Sequence, residues 1–265
     1  MERLALESSL RHALDRDEFQ LHYQAKTNIG TSRMTGMEAL MRWRHPDLGM
    51  VPPAHFIPIA EETGLIESIG NWAIMTACRQ NKAWQDQGYP PMRVAVNLSA
   101  RQFNDEALMQ SIAAILEETR LDASCLEREI TESMIMHSVG TTMQKLTALG
   151  DIGIRIAIDD FGTGHSSLAY LKRFPIDTLK IDRSFIADLT RNTEDKTIIA
   201  AIITMGKSLD LIVVAEGVET VEQLDFLRAH GCDEYQGYYA HKPMPAEEFV
   251  RFLQSERDKA GDDPA

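Results

Sequence analysis

The chain has 265 residues, 44% of them hydrophobic and 25% charged, which is ample for a sizeable core and unlike a low-complexity or disordered chain. Its formal net charge of −13 argues against a general nucleic-acid binder, whose phosphate contacts come from clustered Lys and Arg; a small phosphate substrate stays open if metal ions reverse the sign locally. Cys78, Cys125 and Cys232 form no disulfide framework or CxxC site, and no apolar run approaches the roughly 18 residues of a membrane span, so the expected setting is cytoplasmic, without membrane contact.

Residues 1–18 read as a charged, helical lead-in rather than a signal peptide. β-rich runs follow at Phe19–Gln24, Gly36–Arg44, Arg93–Leu98, Leu126–Thr131, Ile154–Asp159, Thr178–Ile181, Ile212–Glu216 and Asp233–Gln236. Between them lie amphipathic stretches predicted as helices at Ser68–Gln87, Glu106–Thr119, Thr141–Leu149, Ser166–Lys172, Glu194–Ser208 and Val221–His230, with a last one at Ala246–Gln254. The Val51-Pro52-Pro53 patch reads as a loop leading into a short helix. Strands alternating with helices imply parallel pairing, and eight strands in about 250 residues favour a closed α/β barrel. Gln24 and Gly36 are too close for a crossover helix, so the first two strands are expected to pair as an antiparallel hairpin. The expected organisation is a lead-in at 1–18, one domain at 19–256 and a polar tail at 257–265.

The chemistry falls on the strands themselves. Barrel strands should be almost wholly apolar, yet Val94-Ala95-Val96 runs into Asn97 and Ile154–Ile158 into Asp159-Asp160. Thr178-Leu179 leads to Lys180 and then Asp182, and Ile212–Ala215 ends at Glu216; Glu38 and Glu129 sit inside otherwise apolar runs. A single Asp after a strand is most often a cap or turn former. Six strands carrying such groups would need six separate turn explanations, whereas strand ends of a barrel converge on one mouth, where catalytic groups gather. The donors are all oxygen, which suits Mg²⁺ or Mn²⁺ rather than Zn²⁺. The five carboxylates exceed what one Mg²⁺ takes, so two metals are expected, clamping the oxygens of an in-line displacement. Five carboxylates and one ammonium sum to about −4, which two divalent cations would cancel. Lys180 has two open roles: orienting and helping to deprotonate the attacking water, or acting as a fixed charge on a phosphate oxygen.

Other motifs lead nowhere. Asp160-Phe161-Gly162 imitates the kinase triplet without a nucleotide loop, Gly164–Leu168 lacks the second glycine of a nucleophile elbow, and the eight His form no HExxH.

In their order, Met37-Glu38-Ala39-Leu40-Met41-Arg42-Trp43, Asn97-Leu98-Ser99, Glu129-Ile130-Thr131-Glu132-Ser133, Asp159–Gly164, Lys180-Ile181-Asp182, Ala215–Glu219 and Gln236-Gly237-Tyr238 closely resemble the EAL domain, the bacterial cyclic di-GMP phosphodiesterase module, over about Phe19–Phe249. The resemblance implies a modified TIM (β/α)8 barrel with an antiparallel first strand, and hydrolysis of cyclic di-GMP to linear pGpG with Mg²⁺ or Mn²⁺. By motif it implies Glu38, Asn97, Glu129, Asp159 and Asp160 as metal ligands, Glu216 serving the metals directly or through water, and Lys180 holding the nucleophilic water. Gln24, Arg42 and Gln236 look like substrate contacts, with Glu219 and Asp182 in support. The loop Asp160–Ser167, with Phe161, Gly162, Thr163 and Gly164, resembles the flexible loop that couples the site to the dimer interface, and Glu132 looks like its anchor. A homodimer near the helix after Gly164 is therefore expected, and Glu2–Arg16 resembles a linker from an upstream sensory or cyclase domain. Ala25 replaces the usual Pro, His165 the usual Tyr, and Asp151-Ile152 reads as a small insertion. Two rival readings are a catalytically silent cyclic di-GMP receptor and a metal-dependent lyase or aldolase. Because successive strand residues face opposite ways, Asp160 is expected to have left the strand, making Asp159 the bridging ligand and Asp160 the ligand of a single metal.

Overall fold

The computed structural model describes residues 2–136, 139–163, 171–189 and 192–261. Its strands are β1 (Phe19–Asn28), β2 (Met34–His45), β3 (Gly49–Val51), β4 (Arg93–Asn97), β5 (Leu126–Thr131), β6 (Arg155–Phe161), β7 (Thr178–Ile181), β8 (Ile212–Glu216), β9 (Glu234–Gln236) and β10 (Met244–Pro245). β2, β4, β5, β6, β7, β8 and β9 pair in parallel in that order. β1 closes the ring by pairing antiparallel with β2 on one side and β9 on the other. The result is an eight-stranded barrel with one reversed strand, while β3 and β10 extend the ends of β2 and β1.

The reversal has a local cause. Only five residues separate β1 from β2, and the turn is tied by Asn28, whose Oδ1 accepts the Thr31 amide at 2.9 Å. A crossover of that length is impossible, so the chain doubles back. The register sets Gln24 opposite Glu38, and Lys26 opposite Gly36. Alternation then turns Gln24 and Lys26 to the inside, with Tyr23 and Ala25 facing outward.

The helices wrap this barrel. α1 is Glu2–Ala13, α2 Pro53–Thr63, α3 Ile66–Asp86, α4 Ala100–Asn104, α5 Leu108–Thr119, α6 Glu132–Met136, α7 Val139–Ile152, α8 Arg183–Ala187, α9 Thr193–Ser208, α10 Val221–Ala229 and α11 Ala246–Gly261. The apolar core lies between them and the outer barrel face: Ile74 and Trp84 of α3, Ile112 of α5, Leu146 of α7, Ile199 of α9 and Phe249 of α11 are all 1% exposed or less. Each such large side chain contributes about 1.5–3 kcal/mol of burial. Tyr23 packs edge-on against Trp84, 5.0 Å between ring centres. The lead-in helix is seated too: Leu10 and Ala13 of α1 join Phe19, Trp43 and Phe56 in a second apolar cluster, where Trp43 Nε1 donates to Glu18 at 2.9 Å.

The predicted strands all form, within a few residues at their ends. The helices run further in places. α7 absorbs Asp151 and Ile152, which read as an insertion, and α11 continues to Gly261 rather than stopping at Gln254. Most of the helix expected at Ser166–Lys172 lies outside the described residues, as does the dimer contact expected beside it. Among the described residues no helix is long and apolar enough to cross a membrane.

Candidate active site

Lys180 points into the barrel from β7 with its side chain 1% exposed, and four carboxylates from four other strands surround its ammonium. Nζ lies 2.6 Å from Glu216 Oε1, 2.8 Å from Glu129 Oε2, 3.1 Å from Asp159 Oδ2 and 3.8 Å from Glu38 Oε2. Glu129, Asp159 and Glu216 lie at or near the C-terminal ends of β5, β6 and β8, and Glu38, in the first half of the longer β2, meets them around Lys180. Asn97, at the end of β4, donates from Nδ2 to Glu38 Oε1 at 2.8 Å. Gln236 on β9 donates to Glu38 Oε2 at 2.7 Å and to Gln24 Oε1 at 3.0 Å, and Gln24 donates in turn to the His241 carbonyl at 2.9 Å.

One cation for so many carboxylates leaves the ring strained. Burial disfavours the charged form of Lys180, but Asp159, Glu129, Glu216 and Glu38 outweigh it and hold its pKa well above the ordinary lysine range. Glu129 goes the other way from its neighbours. Burial disfavours its charge, yet Lys180 and Lys26 overcome that and pull it down to about 2. Glu38 and Glu216 are pushed well above the usual carboxylate range, by burial first and then by the other acids of the ring.

Asp160 corrects one expectation. It does not leave the strand; β6 continues through Phe161, with a register shift against β7 between Ile158 and Phe161. Asp160 takes φ +54°, a left-handed conformation that Asp tolerates better than most residues. That bulge re-aims the side chain. Asp159, Asp160 and Glu216 consequently offer carboxylate oxygens within 4.8 Å of one another. Burial, Asp159 and Asp182 raise Asp160 to about 6. Asp182 also caps α8 by accepting the Ser184 amide at 3.0 Å.

The segment after Asp160 is tied to the start of α6. Glu132, 2% exposed, accepts the Gly162 amide at 2.9 Å. Gly162 has φ +101°, and a Cβ there would come within 2.8 Å of the Phe185 ring. Thr163 Oγ1 donates to the Asp160 carbonyl at 2.8 Å, Phe161 is buried, and Gly164 lies outside the described residues.

Above the ring opens a cleft of about 360 Å³, lined by Gln24, Arg42, Glu219 and Gln236 together with Glu38, Asp159 and Glu216 of the ring. Arg183, Tyr238 and Leu40 line it as well; Leu40 and Tyr238 stand in the quoted motifs without an assigned role, and Arg183 lies outside them. Two roomier clefts elsewhere on the described surface carry one carboxylate each and gather no comparable chemistry. Gly237 fixes the cleft's edge: a Cβ there would collide with the backbone of Val218. Gly237→Ala is expected to cost about 1–3 kcal/mol through that overlap and to drag Gln236 off Glu38; thermal melts and a turnover assay check both effects.

Fold and site together define an eight-stranded α/β barrel with acidic side chains gathered around a buried lysine at its mouth. The chain belongs to the EAL domain family, whose model matches residues 7–243. Among curated relatives it is similar to the signaling protein YkoW of Bacillus subtilis, 47% identical over 95% of this chain and 31% of that protein. It is also similar to the bifunctional diguanylate cyclase/cyclic di-GMP phosphodiesterase MucR of Pseudomonas aeruginosa, 46% identical over 94% of this chain and 36% of that protein. The chain thus spans about a third of the length of these relatives. Among solved structures it resembles the PaMucR phosphodiesterase in complex with c-di-GMP, with a TM-score of 0.91 and 46% identity, covering 92% of this chain and 99% of that one.

Proposed function

We propose that this chain hydrolyses cyclic di-GMP to linear pGpG with Mg²⁺ or Mn²⁺, two ions per site. The observation that carries the reading is the ring of four carboxylates, three of them buried, set around the ammonium of Lys180. The metal fit rests on that surplus of acid, on the all-oxygen donor set, and on the buried Gln236 Oε1, which has no hydrogen-bond partner. Glu38, Asn97, Glu129, Asp159, Asp160 and Glu216 would hold the ions. Bound divalent ions supply neutralisation of the phosphodiester charge and acidification of a water.

The chain's own groups do the rest. The Lys180 ammonium, kept protonated by the ring, is a donor that orients water rather than a base. Arg42 and Arg183 on the cleft wall face the substrate phosphates, and Gln24 and Gln236 hold the opposite edge. Glu219 closes the cleft on its outer side. The name of MucR and the c-di-GMP held by its solved domain support this substrate.

Incubation with cyclic di-GMP and Mg²⁺, followed by chromatography, tests the reading. Linear pGpG should appear, and Glu38→Ala or chelation should reduce it to background. Binding without product would replace the enzyme with a receptor, and absence of binding would discard the substrate.

A further inference from the structure

Below the carboxylate ring the barrel holds a column of paired charges in place of the branched aliphatic side chains usual in such interiors. Lys26 on β1, 3% exposed, donates to Glu129 Oε1 at 2.8 Å and to Glu127 Oε1 at 2.6 Å. Glu127 Oε2 accepts from Thr178 Oγ1 at 3.1 Å and lies 3.7 Å from Arg93, which donates to Glu234 at 3.0 Å. From the ring downward the charges alternate: Lys180, Glu129, Lys26, Glu127, Arg93, Glu234. As a stabilising device this is poor, because an apolar filling of the same volume is often as stable as a buried ion pair.

Glu129 shows what the column does. Each of its oxygens has its own ammonium, Oε1 that of Lys26 and Oε2 that of Lys180. Lys180 has three N–H bonds to divide among four carboxylates. Lys26 has two carboxylate partners, both at hydrogen-bond distance, and Glu127 fixes it from below. The constant hold on Glu129 is therefore that of Lys26.

We propose that Lys26, braced by Glu127, is a positioning residue that sets the orientation of the Glu129 carboxylate and through it the affinity of the site for divalent metal. This rests on the reading of Glu129 as a metal ligand.

The test is the double variant Lys26→Met/Glu127→Gln, which removes one charge of each sign and leaves the net field at the ring nearly unchanged. Partners that orient a ligand typically contribute 10–100-fold to metal affinity. Calorimetric titration with Mn²⁺ should show a loss in that range, with kcat falling alongside it. KM for cyclic di-GMP at saturating Mn²⁺ and the metal-free melting temperature should stay close to those of the unaltered chain, which a merely structural role would not allow. A folded double variant that binds Mn²⁺ within twofold of the unaltered chain overturns the proposal. Glu129→Gln separates the two readings: if it leaves Mn²⁺ affinity intact, the assignment of Glu129 as a ligand fails and the role of Lys26 falls with it. Should the double variant not fold, the unaltered protein decides. With ¹⁵N-labelled lysine, Mg²⁺ must shift the Lys26 ammonium resonance, and a resonance that does not move sinks the idea.

Discussion

Lys180→Met is expected to lower turnover by about 10³-fold, in the middle of the range for loss of a positioned proton-handling group. Methionine keeps the length and much of the volume of lysine, so the change isolates the ammonium. In the metal-free protein the same substitution leaves Glu216, Glu129, Asp159 and Glu38 facing one another with their shared cation gone. Removing one partner of a buried ion pair costs about 3–5 kcal/mol, which for a chain of this size lowers the melting temperature by roughly 10 °C. Lys26 still holds Glu129, so the loss falls chiefly on Glu216, Asp159 and Glu38. Mn²⁺ should restore more stability to the variant than to the unaltered chain, since the ions then supply all the positive charge at the ring's centre. Turnover stays reduced, because the ions do not replace the donor that orients water. Melting curves with and without Mn²⁺, beside a product assay, check the pair of effects. A variant that keeps its rate removes Lys180 from the chemistry; one that loses its rate without losing metal-free stability contradicts the energetic account of the ring.

Much of this site was legible because barrel geometry turns a one-dimensional pattern into a place. Glu38, Asn97, Glu129, Asp159, Lys180 and Glu216 each interrupt or end an apolar run, and parallel strands bring such positions to a common level. The reversed first strand was legible for an equally simple reason, the short gap between Gln24 and Gly36. Lys26, Glu127 and Arg93 were missed because strand interiors are expected to be apolar. The signal was present: Lys26 follows Gln24 by two residues and Glu127 precedes Glu129 by two, so each shares its neighbour's face. The conformation of Asp160 was not legible, because a left-handed φ in a bulge leaves no mark in composition. α4, α6 and α8 have five residues each, too few for helical periodicity; α4 is set by the reciprocal cap between Ser99 and Gln102. Arg183 opens α8, a helix absent from the sequence reading, and nothing local reveals that this helix begins at the rim of the cleft.

Removal of metal is expected to abolish turnover and to leave a protein whose stability falls as pH rises from 5 to 8. The sign follows from the ring. Burial and neighbouring acids raise Glu38 from 4.5 to about 7, Glu216 from 4.5 to about 8 and Asp160 from 3.8 to about 6. A carboxyl group with a raised folded pKa favours folding fully below its unfolded value, and that contribution is lost as pH climbs through the folded value. Glu129, lowered to about 2, makes the opposite contribution, but it is lost only in strong acid and does not vary in this window. Divalent ions take the ionised carboxylates, so metal affinity grows over the same pH range in which the metal-free protein weakens. At a free Mn²⁺ concentration of about 100 Kd the gain is about 2.7 kcal/mol, or roughly 5–10 °C in melting temperature for a chain of this length. The gap between metal-loaded and metal-free melting temperatures should therefore widen from pH 6 to pH 8, and EDTA should close it at both. A gap that is equal at the two pH values would mean that the carboxylates carrying the shifts are not those that bind the ions. The ring of acids around Lys180 would then be a feature of the folded barrel alone, and the metal would have to be sought elsewhere.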